Sequence, residues 1–284
     1  MFYWSFAECI LERQVRKYLS LLLIGAITLS PSITSAKYGI YYATNATYAK
    51  RTAQNFDMMI IQPYNYHLYA NYTGKKICYL TVGEFDGTAT ELTRLWLDGA
   101  KIGRNTAWNS FLMNMSSPLW QDYLLKEERK LKAMGCHGLF LDTIWQDGQE
   151  AGWIAITKKL RENWKEAYIM PNNAHNIKKD IVNYVDAYMF ENFWDKTVKD
   201  NSQEAKWLLT QMQEYNTLKK VSGKWLLAIS YGNPFISKIW GEKTKKLAIK
   251  YGFEEIYTNE DITTIHGYLD NTAGSLSKLP VLKQ

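Results

Sequence analysis

From residue 37 onward the sequence alternates between short, almost wholly apolar runs and longer stretches in which apolar residues recur every three or four positions. The apolar runs are "YGIYYA" (38–43), "DMMIIQ" (57–62), "KICYLTVGE" (76–84), "HGLFLD" (137–142), "AYIMP" (167–171), "DAYMFE" (186–191), "WLLAISY" (225–231) and "EEIYT" (254–258). Runs without polar alternation read as strands covered on both faces, as parallel strands flanked by helices are. Eight of them with helical spacers predict an α/β protein of the (β/α)8 TIM barrel type rather than an open sheet.

The spacers carry their own punctuation. "SSPLWQDYLLKEERKLKAMG" begins with a serine cap, has a proline in its first turn and stops on Gly135. Further helices are predicted near 90–98, 149–165, 175–185, 202–219 and 237–250. The stretch "DGAKIGRNTAWNSFLMNM" (98–115) fits no simple strand-helix unit, and predicts a large loop with a short extra strand over the barrel mouth. No linker, repeat or low-complexity block divides the chain after residue 36, so residues 37–284 are expected to form one domain.

The N-terminus departs from this pattern. Arg13, Arg16 and Lys17 precede the apolar run "YLSLLLIGAITL" (18–29) and then "SPSITSA", ending at Ala36. A basic start, a short apolar core and small residues predict a secretory signal peptide over residues 1–36. Residues 1–14 are bulkier and more acidic than such a signal requires, which suggests an over-extended start with the true one near Val15. The expected location is therefore secreted or periplasmic, with no stable membrane span after processing.

Composition adds limits. Removing residues 1–36 leaves a net charge of +5, too mild for a nucleic-acid partner, and the lysine pairs at 158/159, 178/179, 219/220 and 245/246 read as solvated helix faces. Four scattered histidines without HExxH or CxxC give no metal site, and no cofactor is expected. Two cysteines remain, Cys78 and Cys136. Export permits a disulfide, but adjacent strands are poorly placed for one, so two buried free thiols are expected.

Three strand candidates end on acids: Glu84, Asp142 and Glu191. Asp142 alone reads equally well as a helix cap. Three carboxylates at the ends of apolar strands are harder to explain that way, because burying such a group is costly unless it is paired or functional. In a barrel they converge on one mouth, and two carboxyls flanking a sugar bond are what glycoside hydrolysis requires. Trp145, Trp194 and Tyr231 follow or end these strands and suit the walls of a sugar subsite, although each suits core packing as well. Asn172 and Asn173 after the fifth strand are candidate hydroxyl or amine binders, with turn formation as the alternative.

The ordered pieces "YLTVGEFDG", "GCHGLFLDTI", "YIMPNNA" and "VDAYMFENFW" resemble the endo-α-1,4-polygalactosaminidase family, glycoside hydrolase family 114, over most of residues 38–260. The resemblance implies a (β/α)8 barrel with Asp142 as nucleophile and Glu191 as general acid/base in a retaining mechanism. It also implies that Glu84 binds substrate or orients a catalytic group. Two departures bear on the sugar rather than the chemistry. Asn172 and Asn173 stand where relatives often carry Gln-Asn, and Trp145, with Asp147 two residues on, stands where relatives often carry a second acid soon after the strand-four aspartate.

A galactosamine polymer is cationic when not acetylated, and a net charge of +5 does not steer it. A local acidic mouth of Glu84, Asp86, Asp142, Asp147 and Glu191 would. The reading is an exported glycoside hydrolase acting on an amino-sugar or galactose-containing polysaccharide or oligosaccharide. Its alternatives are a barrel that binds carbohydrate without cleaving it and a metal-dependent deacetylase.

Overall fold

The computed structural model describes residues 37–144, 148–270 and the strand 275–278. The expected signal peptide, Trp145 and Asp147 lie outside the described residues. All eight expected barrel strands form: β1 (Tyr38–Tyr41), β2 (Met58–Ile61), β3 (Lys75–Thr81), β7 (Gly138–Asp142), β8 (Tyr168–Pro171), β9 (Ala187–Glu191), β10 (Trp225–Tyr231) and β11 (Glu254–Thr258). They run parallel in the orders β1-β2-β3-β7-β8 and β9-β10-β11, and a parallel bridge between Asn172 and Met189 joins the two sets. The strands of β1 and β2 are buried at every position, as runs without polar alternation require.

Helix α1 (Ala46–Ala53) follows β1 without having been expected; α2 (Ala89–Arg94), α3 (Pro118–Met134), α4 (Glu150–Asn163), α5 (Gln203–Ser222) and α6 (Lys238–Tyr251) form near the expected ranges, and no helix among the described residues is long and apolar enough to cross a membrane. Helix α3 starts with Pro118 after Ser117 and ends on Gly135 at φ 100°, a left-handed cap that glycine adopts without steric cost. Residues 175–184 form successive turns where a helix over 175–185 is expected.

Three features depart further from the expected plan. Residues 98–115 form two strands rather than a loop with one extra strand: β5 (Lys101–Asn105) and β6 (Ser110–Met113) join β4 (Glu84–Phe85) in a three-stranded antiparallel sheet ordered β4-β6-β5. After β11 the chain turns back as β12 (Ile265–Asp270), antiparallel to β11, and then β13 (Ser275–Lys278). Contacts from β1 and α1 meet this return: the Tyr42 N–H donates to the Ile262 carbonyl at 3.0 Å, and the Ile265 N–H to the Tyr48 hydroxyl at 2.8 Å. Third, Cys78 and Cys136 form a disulfide, which corrects the expectation of free thiols. Cys78 pairs in register with Leu139, so Cys136 lies three residues earlier, in the lead-in to β7. Freed from strand geometry, it approaches Cys78 to a Cα–Cα distance of 5.9 Å, within the range a disulfide needs.

Candidate active site

The C-terminal strand ends share one local device. Asp142, Asn172 and Glu191 are each followed by a residue in the left-handed region: Thr143 at φ 66°, Asn173 at φ 48° and Asn192 at φ 52°. This reverses the backbone at once, leaving each strand-end side chain aimed into the mouth. Asparagine tolerates that conformation, but for a β-branched threonine it is a true outlier. Thr143 is held there by its hydroxyl, which accepts from the Gly83 N–H at 2.8 Å and donates to the Asp142 carbonyl at 2.6 Å.

The side chains so aimed form one chain of hydrogen bonds. The Tyr79 hydroxyl donates to Asp142 Oδ2 at 2.7 Å. Asn172 Nδ2 donates to Asp142 Oδ1 at 2.9 Å and also to Glu191 Oε2. The Tyr231 hydroxyl donates to Glu191 Oε1, and the Asn173 Oδ1 accepts from the Glu191 N–H at 3.0 Å. The two protons of one amide group therefore bridge the two carboxylates, while the buried Asn172 Oδ1 has no partner. Two oxygens that share one donor nitrogen lie no more than about 6 Å apart.

Electrostatics distinguishes the members. Burial, and then the charge of Asp142, raise the Glu191 carboxyl above its ordinary value, against the lowering effect of its bonds from Tyr231 and Asn172. Tyr79 and Tyr231 are pushed up by burial and by the neighbouring carboxylate, so both stay protonated donors. Tyr42 is raised by burial and then by Asp142, and its ring meets that of Tyr79 edge-on at 5.7 Å.

Of the expected site residues, the structure brings together Asp142, Glu191, Asn172, Asn173 and Tyr231. Tyr231 serves as a hydrogen-bond donor rather than a stacking wall. Asp86 is exposed, near enough for its charge to act on Tyr79. Two expectations are corrected. Trp194 is 3% exposed, because the turn at Asn192 carries it over the outside of the barrel, where Lys243 Nζ lies 4.2 Å above its ring. Glu84 is 4% exposed and turns both oxygens away to Asn105 and Ser110 of the antiparallel sheet. Tyr42 and Tyr79 were not anticipated. The signal for Tyr79 is its place in β3 two residues before Thr81, which is in register with Asp142.

A TIM barrel whose mouth holds a bridged carboxylate pair is the architecture of a glycoside hydrolase. The chain belongs to glycoside hydrolase family GH114, whose model matches residues 38–273. It is an enzyme of that class, and the non-cleaving alternative gives way. Its structure is similar to the glycoside hydrolase domain of PelA from Pseudomonas aeruginosa, with a TM-score of 0.66 and 21% identity over 80% of this chain and 96% of that one. It is also similar to Ega3 from Aspergillus fumigatus in complex with galactosamine, with a TM-score of 0.59 and 14% identity over 86% and 95%. An α-galactosidase from Thermus thermophilus follows at 0.53 and 11%, over 81% of this chain and 59% of that one. At these identities the likeness speaks to the fold. No curated protein sequence matches.

Proposed function

We propose that the chain is an exported hydrolase of a galactosamine-containing polysaccharide, working by a retaining mechanism with Asp142 as nucleophile and Glu191 as general acid/base. The observation that carries this reading is the amide bridge of Asn172. Carboxyls that share one donor nitrogen match the separation of roughly 5 to 5.5 Å used by retaining pairs better than the roughly 6.5 to 9.5 Å that leaves room for an attacking water. Glu191 protonates the glycosidic oxygen as Asp142 attacks the anomeric carbon. It then takes a proton from the water that hydrolyses the glycosyl ester, returning both groups to their starting states. The raised Glu191 carboxyl suits the acid role, and the Tyr79 bond suits a carboxylate that must attack and later leave.

Charge distribution supports a cationic substrate. Helices α5 and α6 carry eight lysines against three glutamates, an excess equal to the whole net charge of the chain after residue 36. That excess lies on two outer helices, while Asp86, Asp142 and Glu191 stand at the strand ends of the mouth. Galactosamine bound to Ega3 favours the same sugar class. Export is supported by the Cys78–Cys136 disulfide, since such bonds persist in oxidising compartments.

The test is turnover of galactosamine, N-acetylgalactosamine and galactose polymers by chain lacking residues 1–36, with product sizing and NMR of the first anomer released. Retention on a galactosamine polymer is the expected result. Initial inversion would overturn the mechanism, and turnover confined to galactose polymers the substrate.

A further inference from the structure

The antiparallel sheet beside the mouth contains a carboxylate that the mechanism does not use. Glu84 Oε1 accepts from Asn105 Nδ2 at 3.0 Å, and its Oε2 accepts from the Ser110 hydroxyl. Asn105 and Ser110 are register partners that close the turn 106–109, so one buried group grips both stems of the β5–β6 hairpin just below its tip. Glu84 is itself fixed to the strand end that bears Asp142. The Val82 N–H donates to the Asp142 carbonyl at 3.1 Å, and the Gly83 N–H to the hydroxyl of Thr143. The hairpin tip is therefore tied to the nucleophile's strand by consecutive contacts.

The tip is restrained as well as placed. The Ala107 N–H donates to Asn105 Oδ1 at 3.1 Å, and Arg104 donates to Asn109 Oδ1 while lying 5.2 Å over the Phe111 ring. On this braced turn Trp108 is 81% exposed. A large indole left in water forgoes the gain of burial, and a rigid turn that presents it loses little freedom when a partner arrives. A flat aromatic face with a single N–H donor matches the apolar face and hydroxyl rim of a sugar ring.

We propose that Trp108, on the hairpin tied to the strand end of Asp142, is a platform on which a sugar ring of the polymer stacks, and that Glu84 is the positioning residue that sets its place. The proposal rests on the polysaccharide reading of the site and concerns a further contact to the same polymer. Trp108→Ala raises KM for the cleaved polymer roughly fivefold or more, the scale of one aromatic contact, with kcat little changed. Trp108→Tyr restores most of the difference. Glu84→Gln raises KM in the same direction, and adding Trp108→Ala to it has little further effect.

Binding is read separately, by retardation of the intact protein in gels cast with each of the three polymers, using Ile239→Ala on the exposed face of α6 as control. Selective loss of retardation in Trp108→Ala is the expected result. A wild-type protein retarded but without turnover overturns the hydrolysis reading alone, because the platform is still scored by retardation. Equal retardation of Trp108→Ala and wild type, equal loss in Ile239→Ala, or no retardation of wild type by any polymer overturns the platform.

Discussion

Glu191 and Glu255 are both glutamates on parallel barrel strands, both are raised by burial, and both accept a hydrogen bond from a tyrosine hydroxyl. They differ in where along the strand they stand. Glu191 ends β9, keeps partial exposure at the mouth, and meets a second carboxylate through Asn172. Glu255 is the second residue of β11 and wholly buried, its oxygens taken by Ser230 and Tyr257 against α6. The same pairing of acid and tyrosine therefore makes a reactive group at one end of the barrel and a structural one near the other. Convergence separates them: only at the strand ends do left-handed turns aim neighbouring side chains at one point.

The comparison breaks most visibly through the carboxylates of the mouth. Asp142→Asn and Glu191→Gln are each expected to cut turnover by on the order of 10²- to 10⁴-fold, with the melting temperature nearly unchanged. Initial-rate assays beside thermal melts check this, and a variant that keeps wild-type rates removes that residue from the mechanism. The opposite signature belongs to the Cys78–Cys136 link. It closes a loop spanning 58 residues, and its loss in Cys78→Ala/Cys136→Ala is expected to cost about 4 kcal/mol in the chain-entropy model. Denaturant melts with and without reductant measure it. Unaltered stability after reduction would remove the link from the structural end of the comparison.

How much of this the sequence announces follows from the kind of interaction. The eight strands are legible because burial on both faces forces unbroken apolar runs, and Asp142 and Glu191 because a carboxylate closing such a run is conspicuous. Tyr79 is hidden for the converse reason: inside an apolar strand a tyrosine reads as core, and only the register with Asp142 reveals its hydroxyl. Glu84 has the sequence signature of a mouth acid, yet its role depends on the pairing of Asn105 with Ser110, which no local pattern encodes. Trp194 misleads in the same way, since the direction of the chain after Glu191 is set by the single backbone turn at Asn192. The return strands β12 and β13 have no counterpart among the expected elements because their pairing to β11 is a tertiary choice.

Glu255 supplies a test that the mouth should not share. Its carboxyl is raised to about 7 by burial, above the ordinary unfolded value. The folded state thus holds a proton that the unfolded chain releases. Its contribution is fully present below about pH 4.5 and is lost as pH rises through about 7, at roughly 1.4 kcal/mol per pH unit and about 3 kcal/mol in all. Relative to wild type, Glu255→Gln is expected to flatten stability over that window while leaving turnover intact. Urea melts at pH 5, 6 and 7.5 decide it, and an equal slope in both proteins would deny Glu255 this role.

The finest distinction lies in the two tyrosines. A hydrogen bond from Tyr231 lowers the Glu191 carboxyl against the stronger effects of burial and Asp142, so Tyr231→Phe removes a lowering cause and the carboxyl rises further. A general acid must be protonated to act, and activity falls as pH rises through its pKa. The alkaline limb of kcat/KM is therefore expected to move to higher pH in Tyr231→Phe, by less than one unit because Asn172 still donates to the same carboxylate. Tyr257→Phe strips the matching bond from Glu255 and should leave that limb where it is, extending instead the stability loss toward higher pH. A limb that moves toward acid in Tyr231→Phe would contradict the acid role of Glu191. A limb that shifts in Tyr257→Phe would show that the two glutamates are coupled through β10, which carries both Ser230 and Tyr231, and that the two ends of the barrel do not act independently.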